Sequence, residues 1–252
     1  MIHQRRVIAV LPAYNAALTL RQTVADIPRD VVDEIILVDD CSSDDTVRIA
    51  RELGLTVVVH TKNRGYGGNQ KTCYRTALDH GADIVVMVHP DHQYDPTFVT
   101  QLVDLIGSGK TDAAFGSRML TPGGALAGGM PYWKFIANIA LTKIANAILG
   151  AHLSEYHSGF RAYSRQVLSA IALERNSDDF VFDTEIIAQV LHAGFRIREI
   201  AIPTRYFKEA SSINFRRSTT YGLQFLLTLG RYVLHRTKIR PNQLFAPVSI
   251  EN

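Results

Sequence analysis

Up to Val88 the chain alternates short apolar runs with stretches of helical spacing. Val7 to Leu11 is a largely β-branched run that stops at Pro12, and Leu18, Leu20, Val24 and Ile27 then recur at helical intervals. Glu34 to Val38 repeats the apolar run and closes on Asp39 and Asp40; Ser42, Ser43 and Asp44 offer N-cap chemistry to a helix from about Thr46 to Leu53. Thr56 to His60 reads as a third strand. Residues 63–69 form a glycine-rich loop entering a helix that Gly81 ends, and Asp83 to Val88 is a fourth strand whose apolar run suits burial on both faces. This alternation predicts an α/β fold with a mostly parallel, right-handed, doubly wound sheet and flanking helices.

The second half is less regular. Ala113 to Gly116, Phe160 to Tyr163 and Arg198 to Ile202 read as strands, while Tyr132 to Leu149, about Asp183 to Ala193, and Tyr221 to His235 read as helices. No repeat and no linker-like shift in composition appears, which predicts a single domain: residues 1–222 as its body, and residues 223–252 as an amphipathic helix and basic tail of the same unit.

Composition narrows the class. With 252 residues, 46% of them apolar, the chain can build a large core, and a net charge of only +3 argues against disorder and against a general nucleic-acid coat. No nucleic-acid partner is expected. Cys41 and Cys73 are too few for a disulfide framework and have no metal-ligand spacing, so both read as packing residues in a reducing, cytoplasmic compartment. Arg5 and Arg6 before Val7 imitate a secretory signal until Pro12 and Asn15 interrupt it. Lys134, Asn138, Thr142, Lys143 and Asn146 break the most apolar later stretch, so no transmembrane helix is expected.

Polar residues gather just past the strand ends: Tyr14 and Asn15, Asp39 and Asp40, Asp91 and Gln93. Open α/β sheets bind ligands at that edge. Five segments then occur in a fixed order: Leu-Pro-Ala-Tyr-Asn (11–15), Val-Asp-Asp-Cys-Ser-Ser-Asp-Asp-Thr (38–46), His-Pro-Asp-His-Gln-Tyr-Asp-Pro (89–96), Gly-Ser-Arg (116–118) and Ser-Gly-Phe-Arg (158–161). Together they resemble the inverting glycosyltransferases of family 2, which have the Rossmann-like GT-A fold, in the branch of dolichol- and polyprenyl-phosphate sugar synthases. The similarity runs from residue 7 to about residue 222.

The resemblance implies a nucleoside diphosphate sugar donor, of the UDP-glucose or GDP-mannose type, held by Pro12, Ala13, Tyr14, Asn15, Asp39, Asp40, Arg64, Gly65, His89 and Pro90. Physically, Asp39 or Asp40 can accept the ring N–H of uracil or guanine while Tyr14 and Pro12 lie against the base; the bland alternative for such carboxylates is a helix cap or a solvated turn. The family's metal motif reads Asp-x-Asp with Gln two residues later. Here His89 replaces the first Asp, whereas Asp91 and Gln93 match, so the implied ligands of a Mg²⁺ or Mn²⁺ ion are Asp91, Gln93 and His89. Asp95 before Pro96 reads as a helix cap. Ala16 is a second departure, standing where the branch usually carries Glu.

On the acceptor side the resemblance implies a polyprenyl phosphate, with Arg118, Lys134 and Asn138 around the phosphate and Arg161, Lys208 and Ser212 as further contacts. A phosphate monoester is largely dianionic near neutral pH and can attack without a base. A hydroxyl on a polysaccharide or glycolipid would need one, and Asp183 and Glu185 are the candidates; otherwise they orient an arginine or the donor sugar, or cap a helix. Asp91, Arg118, Asp183, Glu185 and Arg205 form the expected catalytic set, and a non-catalytic nucleotide-sugar-binding module is the remaining alternative. From Arg205 to Arg240 eight Lys and Arg face a single acid, Glu209. With the helices at 132–149 and 221–235, which either pack in the core or lie in a lipid interface, this basic stretch predicts peripheral attachment to the cytoplasmic membrane face.

Overall fold

The computed structural model describes residues 5–203 and 215–246. Arg205, Lys208 and Ser212, expected at the diphosphate or acceptor phosphate, lie outside the described residues.

Seven strands form one sheet: β1 (Val7–Ala13), β2 (Glu34–Asp39), β3 (Thr56–Val59), β4 (Ile84–Met87), β5 (Ala113–Ser117), β6 (Arg161–Ser164) and β7 (Ile197–Ala201). The helices are α1 (Leu20–Asp26), α2 (Thr46–Glu52), α3 (Gly65–Asp79), α4 (Val99–Gly107), α5 (Gly124–Ala127), α6 (Tyr132–Leu149), α7 (Arg165–Ala170), α8 (Phe182–His192) and α9 (Phe215–Arg236). The order across the sheet is β3-β2-β1-β4-β6-β5-β7, with β6 antiparallel to both neighbours and every other pairing parallel. The sheet is thus mostly parallel, as its apolar runs predict.

Strand alternation divides the core into two layers. In β1, Val7, Ala9 and Leu11 face one side with α1, α2 and α4, while Ile8 and Val10 face the other with α3, α8 and α9. Helix α4 is absent from the expectations above, although its buried Val99, Leu102, Val103 and Ile106 have helical spacing. Phe225, Leu229 and Tyr232 of α9, and Leu244 and Phe245 beyond it, join the second layer, so the C-terminal segment shares the main core. Residue 222 falls inside α9 and marks no structural boundary.

Two local expectations need correction. Cys73 is buried, but Cys41 is exposed, in a left-handed turn at φ 66°. The glycine-rich segment is already helical at Gly65, because its glycines meet a neighbouring chain segment: a Cβ at Gly67 would come 2.2 Å from the Ser177 carbonyl oxygen. The Asp178 carbonyl accepts the amides of Gly67 and Gly68, so these two amides of the first turn of α3 are satisfied internally. The polar stripe of α6 points inward. Asn138 and Thr142 are buried, whereas Tyr132 and Ile136 are 73% and 63% exposed. Asn146 explains part of this inversion, since it bonds both the carbonyl and the amide of Leu153 and accepts from the Tyr156 hydroxyl.

Candidate active site

The C-terminal ends of β1, β2 and β4 open onto a cavity of about 720 Å³, walled by Pro12, Ala13, Tyr14, Asn15 and Asp40 on one side and by Arg217 and Gln224 of α9 on the other. The turns after these strands hold Asn15, Cys41 and His92 at φ 52°, 66° and 56°. Left-handed backbone is uncommon outside glycine, although Asn and His adopt it more readily than most residues, and three such turns gather at this one sheet edge. Asn15 pins its turn by accepting from the Ser43 amide at 2.9 Å.

The two aspartates after β2 have different tasks. Asp40 Oδ1 accepts the Arg64 amide at 2.8 Å and lies 2.7 Å from His60 Nδ1, and its Oδ2 accepts the Gly65 amide at 3.0 Å. It therefore anchors the start of α3 while facing the cavity. Asp39 is buried outside the cavity wall; its Oδ2 accepts the Ser42 amide at 3.0 Å and its Oδ1 has no hydrogen-bond partner. Arg64 also lies outside the wall, with its guanidinium 3.4 Å from Thr72 Oγ1.

A second cavity, of about 580 Å³, runs between α6 and α9. It has an apolar outer part lined by Trp133, Ala137, Leu141, Leu223 and Leu226 and a polar inner end with Arg118, Lys134 and Asn138. Glu155 gathers this inner end. It accepts the Arg118 backbone amide at 2.6 Å, the Arg118 guanidinium at 2.5 Å and Asn138 Nδ2 at 3.2 Å. Burial pushes the Glu155 carboxyl up, but Arg118 outweighs it and the net shift is downward. Lys134 is moved down by partial burial and by Arg118. His157, on the same wall, is pushed down to about 4 by burial and is neutral near pH 7, with Nδ1 2.9 Å from the Tyr221 hydroxyl.

The two cavities meet at Asp91. Its Oδ1 accepts the Gln93 amide at 3.1 Å, and Gln93 lines the α6–α9 cavity. His89 also faces both cavities, with its ring 5.8 Å from and nearly parallel to that of Tyr66, but its Nε2 is buried without a partner against Gly159. Burial lowers its pKa. Of the expected metal ligands, Asp91 alone is on both walls with an accessible charge. Among the described residues no three His, Cys, Asp or Glu side chains form a metal cage.

The remaining sequence candidates are redistributed. Asp183 lines the α6–α9 cavity, but Tyr66 Oη, Gln70 Nε2 and Arg161 Nη1 donate to it at 2.9, 3.3 and 3.0 Å. Glu185 is not at the site: it accepts the Ser177 amide at 2.6 Å and lies 4.0 Å from Arg231, outside both cavities. Two positions along one helix turn separate the pair, since i and i+2 face different ways. Arg161, expected at a phosphate, is instead fully buried under Asp183 and donates to the Tyr156 carbonyl. Sequence reasoning missed Glu155, Tyr66, Phe180, His157 and Tyr221. Tyr66 alone left a signal, as an aromatic among glycines.

Comparison with known proteins agrees with this geometry. The sequence model of glycosyl transferase family 2 matches residues 8–172. The UDP-N-acetylglucosamine–dolichyl-phosphate N-acetylglucosaminyltransferase of Methanococcus voltae is 26% identical over 78% of this chain and 84% of its own. The undecaprenyl-phosphate mannosyltransferase of Micrococcus luteus is 29% identical over 78% of this chain and 82% of its own. In fold, the chain is similar to glucosyl-3-phosphoglycerate synthase from Mycobacterium tuberculosis, solved with Mn²⁺, UDP and glucosyl-3-phosphoglycerate: TM-score 0.69, 21% identity, 94% of this chain and 81% of that one. That enzyme was also solved with Mg²⁺ and UDP.

Proposed function

This chain belongs to glycosyl transferase family 2, and on that premise we propose that it moves a hexose from a nucleoside diphosphate sugar to a polyprenyl phosphate, with inversion. One observation carries the reading: a polar cavity at the strand ends and an apolar cavity with a cationic inner end share Asp91 as a common wall. The first suits a nucleotide sugar. The second suits a lipid whose phosphate meets Arg118, Lys134 and Asn138 while its chain lies between α6 and α9. The polyprenyl- and dolichyl-phosphate acceptors in the names of the two relatives point the same way.

Displacement is in line. A phosphate oxygen forms the new bond to the anomeric carbon as the bond to the diphosphate breaks, and the electron pair leaves with the nucleotide. A dianionic phosphate needs no base, which accords with Asp183 being engaged by three donors and Glu185 lying elsewhere. The GT-A relative was solved with Mn²⁺ or with Mg²⁺; here Asp91, with Gln93 and His89 beside it, would hold such a cation. Such a cation would supply positive charge to the leaving diphosphate. Arg118 and Lys134 orient the acceptor, and Asp40 keeps the α3 end of the donor cavity in place.

No helix among the described residues is long and apolar enough to cross a membrane. The outward apolar faces of α6 and α9, with Leu223 and Leu227 each 60% exposed, support peripheral attachment at the cytoplasmic membrane face. The test is transfer of radiolabel from UDP-glucose or GDP-mannose, with Mn²⁺ or Mg²⁺, to undecaprenyl phosphate or to undecaprenol. Label is expected in the phosphate only. Label in hydroxyl acceptors alone overturns the phosphate acceptor, and hydrolysis or transfer at background overturns catalysis.

A further inference from the structure

The transferred group has to touch both substrates, so its holder belongs to the wall shared by both cavities. Among the described residues only Tyr66, His89, Asp91, Phe180 and Tyr221 line both. Four of them have other engagements. Asp91 faces the diphosphate, and the Tyr66 hydroxyl is committed to Asp183. The His89 ring nitrogen Nε2 is buried, and the Tyr221 hydroxyl bonds His157 and Thr184. Phe180 remains. One face of its half-buried ring stacks on Tyr66 with centroids 4.7 Å apart and the planes at 28°. The ring is the outer member of a His89–Tyr66–Phe180 stack, and the Phe180 amide donates to Asp179 Oδ1 at 2.8 Å.

Resting on the glycosyl-transfer reading, we propose that Phe180 is the specificity-determining platform for the donor's sugar ring, with the carboxylate of the adjacent Asp179 to receive sugar hydroxyls. A pyranose has one face of C–H groups and a rim of hydroxyls. Phe180 offers the flat apolar surface for the first, while the exposed Asp179 on the donor wall offers an acceptor for the second. Tyr66, beneath the Phe180 ring, is held by its hydroxyl donating to Asp183 at 2.9 Å, so the platform is preorganised.

This separates sugar from nucleotide in a binding measurement. Calorimetry with Mn²⁺ compares UDP with UDP-glucose, and GDP with GDP-mannose, on the wild type and on the Phe180→Ala, Phe180→Leu and Phe180→Tyr variants, each first checked for a native melting transition. The nucleotide sugar bound by the wild type is expected to weaken about tenfold in Phe180→Ala and Phe180→Leu, with the free nucleotide changed less than about twofold. Phe180→Tyr is expected to restore binding. Equal losses for nucleotide and nucleotide sugar, or full affinity in Phe180→Leu, overturn the platform while leaving the donor assignment standing. A wild type that binds none of the four overturns the functional reading and this proposal with it.

Discussion

The cavity at the strand ends and the cavity between α6 and α9 meet at Asp91 but are built in opposite ways. The first hangs on main chain, with turns after β1, β2 and β4 held in left-handed conformations and the amides of Arg64 and Gly65 tied to Asp40. The second hangs on side chains, where one buried carboxylate, Glu155, collects a backbone amide, a guanidinium and a carboxamide. A backbone-built site tolerates side-chain change because its geometry comes from the sheet. A side-chain-built site concentrates its geometry in one residue, and removing that residue leaves buried charge uncompensated.

The sharpest break in this comparison is at the shared wall. Asp91→Ala is expected to lower transfer by about 10²–10³-fold with unchanged circular dichroism, on the scale of losing one group that stabilises developing charge. Full turnover in that variant, with chelator present, would remove both Asp91 and the cation from the chemistry. Next is Glu155→Ala, expected to cost about 3–5 kcal/mol in denaturant unfolding by stranding Arg118, while Asp40→Asn costs less because the one remaining oxygen can still accept from the Arg64 amide and face His60, and the Gly65 amide keeps Asn63 Oδ1 as an acceptor. The sign of the acid response follows from the depressed Glu155 carboxyl. Its contribution is whole above the ordinary glutamate value of about 4.3 and is lost as pH falls through its lower folded value, so acid unfolding below about pH 4.3 should be shallower in Glu155→Gln than in the wild type. The smallest effect on folding, though not on location, concerns the outer face of α6. Ile136→Glu should leave stability within about 0.5 kcal/mol yet weaken flotation with anionic vesicles by about tenfold or more. Equal flotation of variant and wild type would detach this helix from the lipid.

Legibility differs between the halves for the same reason. The β1, β2 and β4 runs announce themselves because strands buried on both faces admit only apolar residues, and the polar residues that follow them must fall at the ligand-binding edge. Helix α6 is legible in part: Lys134 and Asn138, expected at the acceptor, do line the α6–α9 cavity, but Glu155 and Leu153, the inner partners of its polar stripe, left no signal along the chain. Arg161 misleads: a cation in a motif reads as a phosphate ligand, and only packing reveals Asp183 across from it.

The sequence by itself determined the sheet, the edge at which ligands collect and the family, because these follow from periodicity and from motif order along the chain. Tertiary structure alone decided which of two neighbouring carboxylates faces a cavity, which cations are already paired, which face of α6 is outside and which rings line both cavities. Those are questions of direction and partnership between residues far apart in the chain, such as Arg118 with Glu155 or Tyr66 with Asp183, and a linear pattern holds no record of where a side chain meets its partner.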